Sequence, residues 1–223
     1  MNKKALVAEF IGTFALCFIG IGAIASNTLV LSQGSSLLGV AFAHGLTIAV
    51  MIAGFGVFSG AHCNPAVSIA LLSVGKIDLL TTTSYVITQV LAGLAGAALL
   101  LLLIPEQVRA AGMGAPHLAD GVSIFSGVII EIVLTFFLVF VIYGTAVDKN
   151  GYTVAALFIG FAVIMAVMMG GPLTGAAMNP ARQFGPALLA GGAAASQIWL
   201  YWLAPIIGGV LAAQLYKNVF EEE

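Results

Sequence analysis

The chain has 223 residues, 61% of them hydrophobic and only 7% charged, with a formal net charge of −2. A soluble domain carries about 25% charged residues, so this sequence lacks the polar surface to coat a water-facing globule, and its charge gives no footing for nucleic acid. Its two cysteines, Cys17 and Cys63, sit in apolar surroundings and form neither a disulfide framework nor a CxxC metal pair; no cofactor and no metal site is expected.

In chain order, Lys3-Lys4 followed by an apolar run has the outline of a secretory signal, with Ala23-Ile24-Ala25 as a cleavage-like stretch. That run is long enough to cross a bilayer core about 30 Å thick, and it carries Glu9, which is foreign to a signal core. A first span near 5–26 is therefore expected, followed by spans near 36–57, 82–104, 122–145, 152–170 and 197–216. Two further apolar segments, 65–74 and 180–190, are too short to span and each begins directly after Asn-Pro. Such segments suit half-helices that enter a membrane from one side. The 105–121 stretch, with its glycines and prolines, reads as an irregular outer loop, and the Glu221-Glu222-Glu223 run reads as a solvated end.

With both termini cytoplasmic, Lys3, Lys4, Lys76, Lys149 and Lys217 fall inside and only Arg109 falls in an outer loop, as the positive-inside rule requires. The expected setting is a cell (inner or plasma) membrane crossed several times. The chain also repeats itself. Ser59-Gly60-Ala61-His62-Cys63-Asn64-Pro65-Ala66 matches Thr174-Gly175-Ala176-Ala177-Met178-Asn179-Pro180-Ala181 at an offset of 115 residues, and Gly45 matches Gly160 at the same offset. Each half opens with a span holding one glutamate, Glu9 or Glu131. Halves of about 1–110 and 120–218 with three spans each must enter the membrane from opposite sides, so the short segments dip from opposite faces and can meet near the midplane.

Asn is a favoured N-cap and Pro is favoured at the first helical position, so Asn64-Pro65 and Asn179-Pro180 start two helices, and the small Ala66 and Ala181 let the tips approach. Each helix start carries about half a positive charge. Two of them aimed at one spot oppose cations, and each Asn amide can still donate to a passing oxygen. A single Asn-Pro-Ala is a weak signal; two at matching places of an inverted repeat are a strong one.

These motifs, with Ala8-Glu9-Phe10-Ile11-Gly12-Thr13 and Met178-Asn179-Pro180-Ala181-Arg182, resemble the aquaporins, or major intrinsic proteins, over nearly the whole chain. The resemblance implies an all-α membrane fold of six transmembrane helices plus two half-helices in one channel domain spanning 1–223, assembled as a homotetramer in the lipid bilayer with one pore per subunit. It also implies a selectivity constriction at His44, Val167, Ala176 and Arg182. Strict water channels of the family have Phe and His at the first two of those places. The His and Val here look more like vacuolar-type plant channels and some archaeal or bacterial relatives. A wider, less polar opening follows, passing ammonia, hydrogen peroxide or urea beside water. Glycerol facilitators of the family have Asp and Lys where this chain has Gln183 and Ala187, and Tyr201-Trp202 resembles the water-channel branch.

Glu9 and Glu131 are expected to accept backbone N–H groups of the re-entrant loops, which must be satisfied at membrane depth. His62 is expected to steady the first loop, Gly93, Gly96, Gly208 and Gly209 to serve as close helix contacts, His117 to be a solvated loop residue, and Cys63 to be shielded. Competing readings are a glycerol facilitator, a proton-coupled transporter using Glu9, Glu131 and His44, an intramembrane enzyme built on Ser59-Gly60 and His62, and a junctional tetramer with a weak pore. Passive passage of water and small neutral solutes, with ions and protons excluded, is the leading one.

Overall fold

In the computed structural model, residues 2–29 and 36–221 are described. Helices α1 (Lys3–Leu29), α2 (Leu37–Ser59), α4 (Leu79–Leu103), α6 (Ile124–Ile142), α7 (Ala155–Thr174) and α10 (Ile198–Val219) form a bundle, and the described residues contain no strand. Six helices are long and apolar enough to cross a membrane, the fourth of them running on to Val147 through a π-helical turn at Tyr143–Val147. The protein is thus a multi-pass membrane protein. Two half-helices, α3 (Pro65–Ser73) and α8 (Pro180–Ala190), complete the bundle. An even number of spans puts both chain ends on one face, called here the terminal face. α3 dips from that face and α8 from the opposite one.

The expected elements are all present, with bounds shifted by a few residues. α7 runs past residue 170, through Pro172, to Thr174, and ends where Gly175 takes a left-handed conformation (φ 80°). The 105–121 stretch is not simply irregular, which corrects the sequence reading. It contains α5 (Pro105–Ala110) and a 3-10 turn at Gly112–Gly114. Pro at the helix start, Glu106 in the first turn and Arg109 in the last are sound helix signals, although six residues are too few to show a periodicity. This segment folds back as a cover, with Val108 and Met113 buried against Ile21 and Leu100. A short helix α9 (Gly192–Ser196) was likewise not foreseen.

In lipid, apolar surface gains little by burial against another helix, so spans associate through close van der Waals contact at small residues. Gly45 of α2 and Gly160 of α7 face each other so closely that a Cβ on Gly160 would lie 2.6 Å from the Gly45 carbonyl oxygen, and one on Gly45 would strike the Gly160 carbonyl. Gly96 meets α1 at Phe14 O (3.0 Å from a built Cβ), and Gly208 abuts Ile132 O of α6. Gly93 of α4 backs onto the Ala181 carbonyl, while Gly209 of α10 backs onto that of Ala66 at 3.2 Å. The two Asn-Pro-Ala alanines are thus each braced by a glycine of a neighbouring span. Gly45→Leu is expected to cost about 3 kcal/mol or more through overpacking, seen as a lowered thermal midpoint in detergent. An unchanged midpoint would contradict this backbone contact.

The carboxyl-terminal acid Glu221 is not a free solvated end. It pairs with Lys76 beyond α3, accepts the Tyr143 hydroxyl at 2.7 Å, and lies beside Lys217, which donates to Val74 O at 2.9 Å. Glu222 and Glu223 lie outside the described residues. The Lys76 and Tyr143 donors hold the Glu221 carboxyl below its usual range. A carboxyl depressed by folding adds stability above its unfolded value of about 4.3 and loses it as pH falls through the folded value. Hydrogen exchange at the end of α10 is therefore expected to accelerate below about pH 4.3 in the native protein and to be fast and pH-insensitive, after correction for intrinsic exchange, in Glu221→Gln.

Candidate functional site: a pore at the meeting of two half-helices

The two loops that lead into α3 and α8 have the same backbone. Gly60 and Gly175 sit at φ 82° and 80°, Ala61 and Ala176 at 45° and 44°, and Cys63 and Met178 both at 49°. Left-handed conformations at residues with a Cβ cost about 1–2 kcal/mol each, so something must hold these loops. Glu9 holds the first, its oxygens accepting from Ser59 Oγ (2.7 Å), His62 N (2.8 Å), Cys63 N (2.7 Å) and Gln89 Nε2 (2.8 Å). Glu131 holds the second, accepting from Thr174 Oγ1 (2.6 Å), Ala177 N (3.0 Å) and Met178 N (2.8 Å). Both carboxylates are fully buried.

A second pair of clamps was not foreseen as such. Tyr85 Oη donates to Ser59 O at 3.1 Å and Tyr201 Oη donates to Thr174 O at 2.5 Å. The tyrosines are 116 residues apart, one more than the motif offset, so only a repeat comparison that allows a one-residue gap aligns them. Gln89, which also reaches Ser68 Oγ at 3.2 Å, has no counterpart signal. His62 sits in the first loop with Nδ1 3.0 Å from Ser68 Oγ and its ring edge-on to Tyr85.

Asn64 and Asn179 meet. Each caps its own half-helix, Asn64 Oδ1 accepting from Ala66 N at 2.9 Å, and Asn179 Oδ1 from Ala181 N at 3.0 Å and Arg182 N at 3.2 Å. Each also crosses to the other loop. Asn64 Nδ2 donates to Met178 O and Asn179 Nδ2 to Cys63 O, both at 2.8 Å. A primary amide has two N–H donors, so one per asparagine remains after the cross-bond. Pro65, Ala66, Pro180 and Ala181 are buried at the first turns of α3 and α8.

Both asparagines line one cavity of about 140 Å³. Toward the terminal face it is bounded by Ile52, Leu71, Ile142, Ala146 and Val147, and toward the opposite face by His44, Val167, Ala176 and Arg182. The four residues expected at a constriction therefore converge on one end of one passage. Gly60, Ala61, His62, Ala176, Ala177 and Met178 of the two loops line it as well, and Glu9 and Glu131 are not on its wall.

Arg182 is only 4% exposed. No acid among the described residues pairs with its guanidinium in a salt bridge. Its Nε is 3.2 Å from His44 Nε2, and its Nη1 is buried with no protein partner. His44 Nδ1 lies 2.8 Å from Val40 O. A carbonyl only accepts, so Nδ1 carries the proton and Nε2 offers its lone pair to Arg182. The histidine's hydrogen-bonding capacity is then spent on protein, and side-chain donor capacity at this end rests with the arginine's guanidinium. Gln183, where glycerol facilitators have an acid, is buried and donates to Ala194 O at 3.0 Å. His117 is exposed, with Nδ1 2.9 Å from Ala115 O. Cys63 is fully buried, its Sγ against Gly12.

Six spans around two end-to-end half-helices, with a passage between them, define a helical membrane channel. Residues 1–216 match the family model described as Major intrinsic protein, and the chain belongs to that family. It is 44% identical over 222 residues to Aquaporin TIP4-1 of Arabidopsis thaliana, covering 97% of this chain and 86% of that one. It is 37% identical over 230 residues to Aquaporin Z of Rhodopseudomonas palustris, covering 100% and 95%. Among solved structures it matches the aquaglyceroporin from Plasmodium falciparum with a TM-score of 0.89 and 27% identity, covering 98% and 97%.

Proposed function

We propose that the whole chain, as one channel domain, conducts water and small uncharged solutes passively and rejects ions and protons. The observation that carries this reading is the pair of asparagines, each capping a half-helix, cross-bonded to the other's loop, and bordering one passage. Water entering it loses bulk hydrogen bonds and regains them from the Arg182 guanidinium, the remaining Asn64 and Asn179 N–H groups and the loop backbone. An ion loses a solvation energy on the order of tens of kcal/mol, and it meets Arg182 and two positive helix ends with no ring of acids in return. The family is one of channels, not enzymes. A proton-coupled mechanism would route protons through Glu9 and Glu131, yet both carboxylates lie off the passage with their oxygens taken by loop donors. The relatives named aquaporin support water, and Gln183 gives no support to a dedicated glycerol site.

His44, Val167, Ala176 and Arg182 act as the filter. The Val167 and Ala176 side chains are small and present no donor, so ammonia, for which a less polar opening suffices, and the wider hydrogen peroxide and urea fit the reading. Introducing His44→Phe with Val167→His is expected to cut urea and ammonia permeability roughly tenfold or more while water permeability falls far less, in stopped-flow measurements on vesicles. Equal loss of all solutes would reject these positions as the filter. The five lysines at the terminal face and Arg109 at the other favour cytoplasmic termini in a cell membrane. Exposed apolar side chains on α7, among them Phe161, Met165 and Met169, suit lipid or the neighbouring subunits of a homotetramer.

A further inference from the structure

Gly20 of α1 is buried and is not part of the cavity wall. The imidazole of His44 rests directly on it. A Cβ added to Gly20 would collide with His44 Nε2 and lie 2.8 Å from Cδ2 and 2.9 Å from Cε1, and all three of its nearest neighbours are atoms of that ring. The ring cannot yield by a small tilt, because it is tied at Nδ1 to Val40 O (2.8 Å) and at Nε2 to Arg182 Nε (3.2 Å). Close-packed interiors leave little room for displaced atoms, and the free space beside this ring is the passage that it lines.

We infer that Gly20 is a positioning residue that sets the bore of the channel from outside it: its missing side chain makes a recess in α1 that takes the His44 ring, keeps the ring out of the passage and keeps Nε2 on Arg182. This rests on the reading of His44 and Arg182 as the filter. A methyl group at position 20 forces the imidazole toward the passage, breaks its bond to Arg182 and narrows the opening. Alanine is the better helix former, so any harm done by Gly20→Ala comes from the collision rather than from the helix.

The test is a double-mutant cycle in proteoliposomes, with urea and water permeability measured for the native protein, Gly20→Ala, His44→Ala and Gly20→Ala/His44→Ala. Gly20→Ala is expected to lower urea permeability roughly tenfold and water permeability much less, so the ratio shifts. With the ring removed, the alanine at 20 is expected to have no further effect. A native urea-to-water ratio in Gly20→Ala, or the same drop in the His44→Ala background, overturns the inference. If His44→Ala leaves every permeability at the native value, the filter reading itself fails, and the inference with it. Should Gly20→Ala not fold, removal of the ring is expected to restore folded protein, and failure of the double variant as well would overturn the proposal.

Discussion

Glu9→Ala is expected to abolish recovery of the folded channel. The change leaves Ser59 Oγ, the N–H groups of His62 and Cys63, and Gln89 Nε2 without their acceptor in a buried site. An unsatisfied buried polar group costs about 1–3 kcal/mol, and water reaches such a site poorly. The loop's left-handed residues Ala61 and Cys63 lose their restraint at the same time. Four stranded donors cost roughly 4–12 kcal/mol together, enough with the released loop strain to consume a folding margin of about 5–15 kcal/mol; Glu9→Gln, which keeps one acceptor oxygen, is expected to survive with a lowered midpoint. Glu131→Ala, with three donors stranded, is expected to behave alike. Recovery by size-exclusion chromatography and thermal midpoint in detergent measure this. A Glu9→Gln protein of native stability that loses only a proton-coupled flux would point instead to a relay role.

The second large effect concerns Arg182. Arg182→Val removes the buried charge at the end of the passage and its guanidinium donors. His44 Nε2 loses its donor at the same stroke. The expected outcome is a channel that still passes water, admits urea at least about tenfold faster, and leaks cations or protons that the native protein holds back. The leak follows from electrostatics: with the guanidinium gone, opposition to cations falls to the two half-helix ends, each worth about half a charge. Vesicles reporting solute shrinkage and internal pH separately resolve the two changes. Native selectivity in the variant would show that Arg182 does not control passage.

The parts of this site that could be read in the sequence are those whose chemistry is local or repeated. Asn64-Pro65 and Asn179-Pro180 announce helix starts by capping and by fixed proline geometry. Their meeting follows from an inverted repeat with an odd number of spans. Arg182, His44, Val167 and Ala176 are pointed to by family resemblance rather than by any local pattern, and all four line the cavity. The reciprocal bonds of Asn64 and Asn179 to Met178 and Cys63 span more than 110 residues, and no local pattern encodes them. Gln89 was silent for the same reason: one polar residue in an apolar span has no partner until α1 brings Glu9 to it. Gly20 was silent because a glycine in a membrane span usually marks helix contact, and only the position of His44 shows that this one seats a ring. The 105–121 stretch misled because its glycines and prolines outweighed the short helix signal of Pro105, Glu106 and Arg109. Glu221 misled because a run of acids ordinarily stays in water, whereas this one reaches Lys76 and Tyr143 across the terminal face.

The most direct test reconstitutes the protein into vesicles loaded with a pH-sensitive dye and follows osmotic shrinkage and proton entry on the same preparation. Shrinkage several times faster than in protein-free vesicles, with proton entry no faster, is the result that two asparagine-capped half-helices flanking a wet passage require. Shrinkage at the protein-free rate by correctly inserted protein, or proton entry rising in step with water, would contradict it.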